Sequence, residues 1–525
     1  MLDVISTING AINSVVWGVP MLVLIIGTGI YLTFRTKFFQ IRFAKHVTGQ
    51  TIGGVFKKGS GVTNSKEKSS ISQFQALCTA LAATIGVGNI AGVAAAIASG
   101  GPGAIFWMWL SAFFGMMTNY SENVLGIYYR RKNSQGEWCG GAMYYLRDGL
   151  GSKKGCKTLG KVLAVLFSVF CILASFGIGN MSQINTISTN ITSVFTIPAL
   201  DREIALGSLT VNLYALLVGI ALMLFAGLVI VGGIKRIAQV TERFVPFMAC
   251  VYILGALAVF VLNIDRVGEV FHSIFAFAFG FKAIGGAVIG TAVKNAATWG
   301  FKRGVFSNEA GLGSSVIVHS ASNVVEPVKQ GMWGIFEVFA DTIVVCTLTA
   351  FAILSSGLID LSTGEMLTSA EKTALVSEAF GSIFNFGGIN VGGIFIAVAI
   401  LLFAFSTVLG WSYYGTKAWE FLFGTKSTII YKCVFVLFIV CGATMDLGLA
   451  WDISDTFNGL MALPNLVGVL TLSGTIFKIT NNYIARTFKG STEKPILSAF
   501  ADIQAEQEAK LYSEQTEDEE LDAAV

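Results

Sequence analysis

The sequence predicts an all-α integral membrane protein with eleven transmembrane helices, and three observations predict it. Of the 525 residues, 54% are hydrophobic and 13% are charged, and the mean hydropathy is +0.69. A soluble domain carries about twice that charged fraction. Apolar stretches of about 20 residues, long enough to cross a bilayer as a helix, recur along the chain. Two of them are interrupted by glycines at corresponding positions of the two halves, which predicts two broken helices.

Eleven apolar segments are long enough to span the membrane. They lie near residues 13–33, 72–99, 103–128, 162–188, 209–232, 243–263, 272–299, 331–357, 391–414, 428–447 and 456–477. The first stands apart, and the other ten divide into two groups of five with opposite orientation. The predicted domains are an N-terminal helix with a basic linker, a first five-helix repeat, a second inverted repeat and an acidic tail. Their bounds are 1–71, 72–263, 264–490 and 491–525. The tail is expected to be disordered or loosely helical.

Lysine and arginine residues predict the orientation of the chain. Eight of them lie between spans 1 and 2, and cytoplasmic loops of membrane proteins are enriched in these residues. The linker is therefore expected inside, the N-terminus outside and the C-terminus in the cytoplasm. With this alternation, 30 of the 35 Lys and Arg residues fall in cytoplasmic segments, including 129–161 and 300–330. An even number of spans would lose this bias.

Span 2 carries the first interruption, in the stretch TIGVGNIAG. Gly86, Gly88 and Gly92 lower the cost of leaving the helix there. Non-helical backbone is tolerated within a bilayer only where it is buried in protein or lines a cavity. A half-helix that begins near Gly88 would direct N–H groups and its positive end into the protein, which favours a small carboxylate. The alternative is a Gly- and Ala-rich helix packed closely against its neighbours.

Oxygen atoms predict a cation site beside this break. The carbonyls of Ala82 and Ile85, freed by unwinding, are ligands of the kind that hard cations prefer. In span 9, Ser406 and Thr407 supply hydroxyls, and Trp411 lies one turn from Thr407 on the same face. A hydroxyl beside an aromatic ring suits a small zwitterion. Hydroxyls in the middle of a helix also bond back to the preceding turn, and that interpretation stays open.

Span 7 is predicted to hold the second interruption, because its glycines are residues 280, 285, 286 and 290. Secondary transporters bind their substrates near the midplane, where such broken helices meet. Span 4 adds Gln183, which shares a helix face with Gly179. Amide side chains also serve as hydrogen-bonding contacts between membrane helices, so a substrate role for Gln183 is one of two interpretations.

Other classes of function are disfavoured by the composition. Three His residues and eight scattered Cys residues argue against a metal site or a disulfide framework. No catalytic set of Ser, His and Asp lies on facing spans, so an enzyme is not expected. An ion channel also uses broken helices, but the chain has no short re-entrant pore segment. Carboxylates inside the membrane mark ion pathways, and Asp341 in span 8 is the candidate for proton or sodium coupling. A purely structural role for it is the alternative.

The chain resembles the alanine or glycine:cation symporter family, also called the sodium:alanine symporters. The matching stretches run from span 2 to span 11, and SNEAGLGS together with GVGNIAG is the most specific combination. They are FQALCTALAATIGVGNIAGVA, GGAMYYL, SFGIGNM, KRGVFSNEAGLGS, STVLGW and LMALPNL. The resemblance implies a LeuT-type fold, in which two inverted five-helix repeats follow one extra N-terminal helix.

This resemblance also implies a function. It implies sodium-coupled symport of a small neutral amino acid, alanine or glycine, into the cell across the bacterial inner membrane by alternating access. Proton-coupled symport, or transport of another small amino acid such as serine, is the alternative. The implied partners are the amino acid, the sodium ion and membrane lipid. No nucleic acid and no cofactor beyond the co-transported sodium are expected, and the protein is expected to be a monomer.

Individual residues receive roles from the same resemblance. The unwound backbone at 86–88 would hold the substrate carboxylate through N–H groups. The implied substrate-binding residues are Gly86, Val87, Gly88, Asn89, Gln183, Ile284, Gly285, Ile289, Thr407 and Trp411. The implied sodium ligands are Ala82, Ile85, Ser406 and Thr407. No residue is expected to act as a catalyst.

Overall fold

The protein, described here as a computed structural model, is built almost wholly from helices, which confirms the predicted class. The structure describes residues 2–57, 61–65, 67, 70–206, 209–280, 286–445 and 448–523. The first helices are α1 (Leu2–Val16), α2 (Val19–Arg35), α3 (Phe39–Arg42), α4 (Ala44–Gln50), α5 (Ile52–Val55), α6 (Gln73–Thr84), α7 (Ala91–Gly100), α8 (Ala104–Tyr128), α9 (Ala142–Tyr144), α10 (Lys157–Phe176), α11 (Ser182–Val194), α12 (Leu213–Ile230) and α13 (Gly233–Leu262). The others are α14 (Val267–Phe279), α15 (Gly286–Asn308), α16 (Val316–His319), α17 (Pro327–Val338), α18 (Thr347–Ser355), α19 (Lys372–Gly381), α20 (Val391–Phe423), α21 (Thr428–Thr444), α22 (Gly448–Thr471), α23 (Ser473–Lys489) and α24 (Ala501–Ala523).

Short irregular elements join these helices. Three two-stranded antiparallel hairpins are formed by Arg131–Lys132 with Trp138–Cys139, Glu203–Leu206 with Leu209–Asn212, and Asn385–Phe386 with Ile389–Asn390. Segments of 3₁₀-helix are Val87–Asn89, Leu150–Ser152, Ile264–Arg266 and Thr425–Ser427. Segments of π-helix are Tyr145–Gly149, Gly177–Met181 and Phe339–Cys346. Segments of π-helix occur often at functional sites, and the last two of these border the site described below.

Within the described residues, seven helices are long and apolar enough to cross a membrane, or up to nine if each of two bent pairs is one span. The seven are Val4–Arg35, Lys157–Val194, Leu213–Ile230, Gly233–Leu262, Pro327–Ser355, Val391–Phe423 and Thr425–Thr444. The bent pairs are Gln73–Thr84 with Val87–Gly100, at 61°, and Gly448–Thr471 with Ser473–Lys489, at 58°. Helix α8, which has 25 residues and covers the predicted span 103–128, falls outside this count. The number eleven stays a prediction.

Local sequence signals explain where the helices around the site begin. Ser72 and Gln75 form a capping box at the start of α6, in which each side chain accepts a hydrogen bond from the other residue's backbone N–H. Asn390 caps α20 through a bond of 2.7 Å from the N–H of Gly393. Helix α20 then runs for 33 residues and packs on α6, α10 and α11, so it lies along the first helix break.

The break that meets the first is one that the sequence does not predict. Predicted span 7 is divided between α14, which ends at Phe279 before Gly280 with its φ of +71°, and α15, which begins at Gly286 and continues to Asn308. The chain leaves the helix at Glu309, where φ is +56°, and two further residues with positive φ follow, Gly311 and Gly313. Positive φ is incompatible with a continuing right-handed helix, so this short segment ends α15. Of the predicted site residues in span 7, Ile284 and Gly285 lie outside the described residues, and only the helical position of Ile289 is described.

The path of residues 300–316 differs from the predicted location of the segment 300–330. The sequence predicts this segment as a cytoplasmic loop. In the structure, Gly300 packs on Ala104 at the beginning of α8, and Gly126 near the end of α8 meets Val316. The chain from 300 to 316 therefore runs beside α8 through the protein. Gly300 therefore lies beside the N-terminal end of α8, which is the end predicted to lie outside the membrane.

The tail is more ordered than the sequence predicts. The N–H of Ala499 donates to the carbonyl of Tyr128 over 3.0 Å, and Leu497 and Leu511 are buried against Val325. Helix α24 follows. The tail is acidic and polar, and its contacts with Tyr128 and Val325 hold it against the rest of the protein.

Candidate functional site

The first helix break lies where the sequence predicts it. Helix α6 ends at Thr84, Gly86 is extended, and a 3₁₀ turn leads into α7. The N–H of Gly86 donates to the Asn89 side-chain oxygen over 2.9 Å, which replaces a lost helical hydrogen bond. A Cβ at Gly86 would lie only 2.5 Å from the Thr407 Oγ1 atom. Glycine is therefore required here by close approach of α20.

Gln183 and Trp411 complete this side of the site. The Gln183 Oε1 atom accepts from the N–H of Val87 over 3.4 Å, and its Nε2 donates to the carbonyl of Ile178. A Cβ at Gly179 would lie 2.4 Å from the Cβ of Trp411, so the π-helical segment lets α20 approach. The structure thus brings together the predicted substrate residues at the first break, in span 4 and in span 9.

The predicted cation ligands are also neighbours. The Ser406 hydroxyl donates to the Ala82 carbonyl over 3.3 Å and to Phe403 over 2.8 Å, and the Thr407 hydroxyl donates to Phe403 over 3.0 Å. Ile85 is buried at the end of α6. Both hydroxyls therefore bond back to the preceding turn, which is the alternative that the sequence leaves open. Each hydroxyl oxygen still has lone pairs with which it could bind a cation.

The second break faces the first. A Cβ at Gly88 would lie 3.4 Å from the Phe306 ring and 3.8 Å from the Cα of Ser307. Glu309 is buried, accepts a hydrogen bond of 3.1 Å from the Trp411 indole and also accepts one from Ser314. Sequence reasoning missed Phe306, Ser307 and Glu309 as site residues. The signal was present in SNEAGLGS, where glycines that favour positive φ follow directly on a carboxylate.

Asp341 links the two breaks. Its Oδ1 atom accepts from the Asn89 amide over 2.6 Å, and its Oδ2 accepts from the hydroxyls of Ser307 over 2.7 Å and Thr342 over 2.8 Å. The residue is fully buried in the π-helical segment. Three donors on one carboxylate suit its ionised form. Asp341 therefore fixes the geometry of Asn89, one of the predicted substrate residues.

Glu337, one turn earlier, serves a different network. Its Oε2 lies 2.9 Å from His319 Nε2, and the other ring nitrogen of His319 lies 2.6 Å from the Gln330 amide. Both Glu337 and His319 are fully buried. Glu337 and Asp341 thus bind different partners, although residues four apart in a regular helix share one face.

A cavity of about 560 Å³ leads to the first break. We call it the outer vestibule, because it reaches segments that are predicted to lie outside the membrane. Its lining includes Val87, Gly88, Gln183, Arg303, Phe306, Lys372 and Asp452. Lys372 begins α19, whose inner face of Leu375, Val376 and Phe380 is buried. This helix therefore borders the vestibule as a packed connector.

The opposite side of the site is closed by backbone pairing. The N–H of Ile71 donates to Ala321 over 3.1 Å, and the N–H of Asn323 donates to Ile71 over 2.8 Å. Lys510 of the tail bonds across this pairing, to Glu67 over 2.8 Å and to the Asn323 carbonyl over 3.3 Å. Among the described residues, the vestibule therefore opens the site toward the side predicted to be outside. On the side predicted to be inside, paired and packed backbone closes it.

Comparison with known proteins identifies relatives of this chain. The profile of the Sodium:alanine symporter family matches residues 2–497. The sodium/alanine symporter AgcS of Methanococcus maripaludis is 45% identical over 482 residues, which are 92% of this chain and 98% of that protein. The probable sodium/glutamine symporter GlnT of Bacillus subtilis is 37% identical over 488 residues, 92% of this chain and 91% of its own. The amino-acid carrier protein AlsT of Bacillus subtilis is 35% identical over 472 residues, 89% of this chain and 90% of its own.

Solved structures show a weaker likeness. MhsT in complex with L-phenylalanine has a TM-score of 0.49 at 14% identity, over 80% of this chain and 97% of that one. The Eremococcus coleocola manganese transporter, in complex with an aromatic bis-isothiourea substituted compound, has a TM-score of 0.48 at 13% identity, over 83% of each chain. At these scores the likeness carries no argument about fold or ligand.

Proposed function

The chain belongs to the Sodium:alanine symporter family, a family of transporters and not of enzymes, and we propose that it takes up alanine or glycine together with sodium. One observation carries this proposal. The unwound backbone at Gly86 lies against Thr407, Gln183 bonds to Val87, and Trp411 closes the same side. Backbone N–H groups at the start of a half-helix suit a carboxylate, and a tryptophan wall leaves room for a small side chain only.

The proposed sodium site lies between α6 and α20. The 3.3 Å separation of the Ser406 hydroxyl from the Ala82 carbonyl supports it, because both oxygens adjoin the broken helix. The carbonyl of Ile85 and the hydroxyl of Thr407 are the other proposed ligands. Sodium between these helices would hold the break in the shape that binds the amino acid. Each ligand then raises the affinity of the other by the same factor.

Transport follows from this coupling in a LeuT-type arrangement of two inverted repeats. With both ligands bound, the two broken helices move relative to α10, α11 and α20, the vestibule closes, and the pairing of Ile71 with residues 321–323 opens. One sodium ion that moves down a potential of 100 mV supplies about 2.3 kcal/mol to this cycle. The two helix breaks that meet at one site support this mechanism.

Uptake of labelled L-alanine into proteoliposomes tests the proposal. The vesicles carry a sodium gradient, a proton gradient or neither, with excess glycine as competitor. We expect accumulation only with sodium, and we expect glycine to block it. Absence of accumulation under every gradient, with protein shown to be folded by its thermal transition, would contradict the proposal.

Proton coupling is the second candidate, and the Asp341 carboxylate favours it. Asp341 is fully buried and bonds to Asn89 at the first break, so its protonation would change the bonds that hold the site. Accumulation of alanine with a proton gradient alone would select this candidate over sodium coupling.

A further inference from the structure

Beside the substrate path, Arg303 is a cation that makes no close ion pair among the described residues. It lines the outer vestibule together with Gly88 and Phe306. Among the described residues, its guanidinium makes no hydrogen bond and no ion pair, and its Nε atom is buried without a partner. The group lies over the rings of Trp299, at 5.3 Å, and Phe306, at 5.5 Å.

The neighbouring lysine gives a useful contrast. Lys302 places its Nζ atom 3.6 Å from an Asp455 carboxylate oxygen, so its charge is matched within the protein. The same carboxylate also attracts the charge of Arg303, but no ion pair or hydrogen bond joins the two groups. A partly buried guanidinium without hydrogen-bond acceptors costs free energy, and a bound anion would offset that cost. The planar guanidinium fits a carboxylate through two parallel hydrogen bonds.

The position of Arg303 relates it to the substrate site. Its Cδ atom lies 4.0 Å from where a Cβ of Gly92 would be, so the side chain lies across the first turn of α7. Phe306, one turn further along α15, contacts Gly88. Asp452 lines the same cavity and could attract an ammonium group. A cation and an anion in one cavity match the two charges of an amino acid zwitterion.

We propose that Arg303 forms an entry site in the outer vestibule, which binds the carboxylate of the amino acid before it reaches Gly86 and Gly88. This inference rests on the proposed function and adds a second binding position to it. The site raises the local substrate concentration above the break and orients the carboxylate toward it.

Kinetics of alanine uptake by the full-length protein in proteoliposomes test the entry site. The variants are Arg303→Gln, Arg303→Lys and, as matched control, Arg202→Gln, which removes an exposed positive charge outside the vestibule lining. We expect the KM of Arg303→Gln to rise about tenfold or more, the factor that corresponds to about 1.4 kcal/mol. We expect kcat within about twofold of the parent, an intermediate KM for Arg303→Lys and little change for Arg202→Gln. If Arg303→Gln transports alanine with the same KM as the parent, the entry site is wrong, while the proposed function still stands.

A binding measurement separates the entry site from the central site. Gly86→Ala places a methyl group 2.5 Å from Thr407 Oγ1 and so blocks the central site. We expect weak binding of alanine to Gly86→Ala in saturation-transfer NMR, and its loss in Gly86→Ala with Arg303→Gln. L-alaninamide, which lacks the carboxylate, is expected not to bind. If alaninamide binds equally well, or if replacing chloride by gluconate abolishes the effect of Arg303→Gln on KM, the carboxylate assignment is wrong. Failure of the parent protein to take up alanine at all would count against the proposed function instead.

Discussion

The side-chain amide of Asn89 joins the first helix break to Asp341. Its nitrogen donates to the Asp341 carboxylate over 2.6 Å, while its oxygen accepts from the N–H of Gly86 over 2.9 Å. Ser307, at the end of α15, donates to the other Asp341 oxygen over 2.7 Å. One buried carboxylate therefore holds both sides of the site in register.

The substitution Asp341→Asn tests this role. Asparagine keeps the shape of the side chain but replaces one accepting oxygen with an NH₂ donor. In one orientation this NH₂ group meets the hydroxyl donors of Ser307 and Thr342, and in the other it meets the amide donor of Asn89. We expect a loss of about 1–3 kcal/mol in the free energy of unfolding and a fall in alanine uptake of at least about tenfold. Thermal unfolding in detergent and uptake assays measure the two effects. The control Asp265→Asn changes an exposed residue and should alter neither. Normal uptake by Asp341→Asn would show that the link is dispensable.

Gly86→Ala tests the close approach of α20 to the first break. The added methyl group would lie 2.5 Å from Thr407 Oγ1, so the helices must separate. We expect alanine uptake to fall at least about 100-fold, since small displacements in a site have such effects. Gly27→Ala in α2, where a Cβ meets no atom within 4 Å, is the matched control. If both variants transport alanine alike, the steric argument fails.

Trp411→Phe tests how the pocket limits side-chain size. The change removes the indole N–H that donates to Glu309, and it replaces the indole with a smaller ring, which leaves more space in the pocket. We expect the KM for alanine to rise about tenfold and uptake of larger amino acids such as valine to appear. Trp419→Phe, in the same helix, removes a bond to Ser427 far from the site and should leave selectivity unchanged. Unchanged selectivity in Trp411→Phe would show that Trp411 does not limit the size of the substrate side chain.

Ser406→Ala tests the proposed sodium site. Loss of one oxygen ligand is expected to raise the sodium concentration for half-maximal uptake by about 10- to 100-fold. At saturating sodium, the KM for alanine should be restored, because the two sites are coupled but separate. Ser412→Ala is the control, since Ser412 is equally buried in α20 and bonds only to its own preceding turn. If Ser406→Ala and Ser412→Ala change the sodium dependence equally, the change comes from altered helix packing and not from the loss of a sodium ligand.

The contact of the tail with Glu67 and Asn323 should depend on pH. Burial raises the pKa of Glu67, but the hydrogen bond and charge of Lys510 and the Ser70 hydroxyl lower it, and the net pKa is below its usual 4.5. A lowered pKa in the docked state means that the pair stabilises docking above pH about 4.5 and loses this effect as the pH falls through the lowered value.

Hydrogen exchange of residues 497–511 measures this docking. We expect protection to be constant between pH 6 and pH 8 once the intrinsic exchange rate is corrected for, and to weaken below about pH 4.5. Lys510→Ala should weaken it at neutral pH by up to about 1 kcal/mol, the usual limit for a partly exposed pair. Lys494→Ala, whose side chain is 87% exposed, is the control. Equal protection in both variants would mean that the apolar contacts of Leu497 and Leu511 alone hold the tail.

The sequence by itself determined the membrane class, the first helix break and the family. The class and the break follow from composition and from short-range rules, because apolar length predicts a span and the spacing of Gly86 and Gly88 predicts an interruption. The family follows from the resemblance of stretches such as GVGNIAG and SNEAGLGS to those of its members. It also selected Gln183, Thr407 and Trp411, since unusual polar and aromatic residues stand out in an apolar helix.

Only the tertiary structure decided which breaks meet and which carboxylate serves them. The glycines of span 7 predict a break at 284–289, of which residues 284 and 285 lie outside the described residues. The residues beside Gly88 are Phe306 and Ser307, which lie just before the positive φ of Glu309 ends α15. Glu337 and Asp341 likewise have separate partners. Glu337 lies in α17, whereas Asp341 lies in the π-helical segment that begins at Phe339 and changes the helix period. Helix period, handedness of φ and contacts between distant segments depend on the folded environment, and local sequence patterns do not encode them.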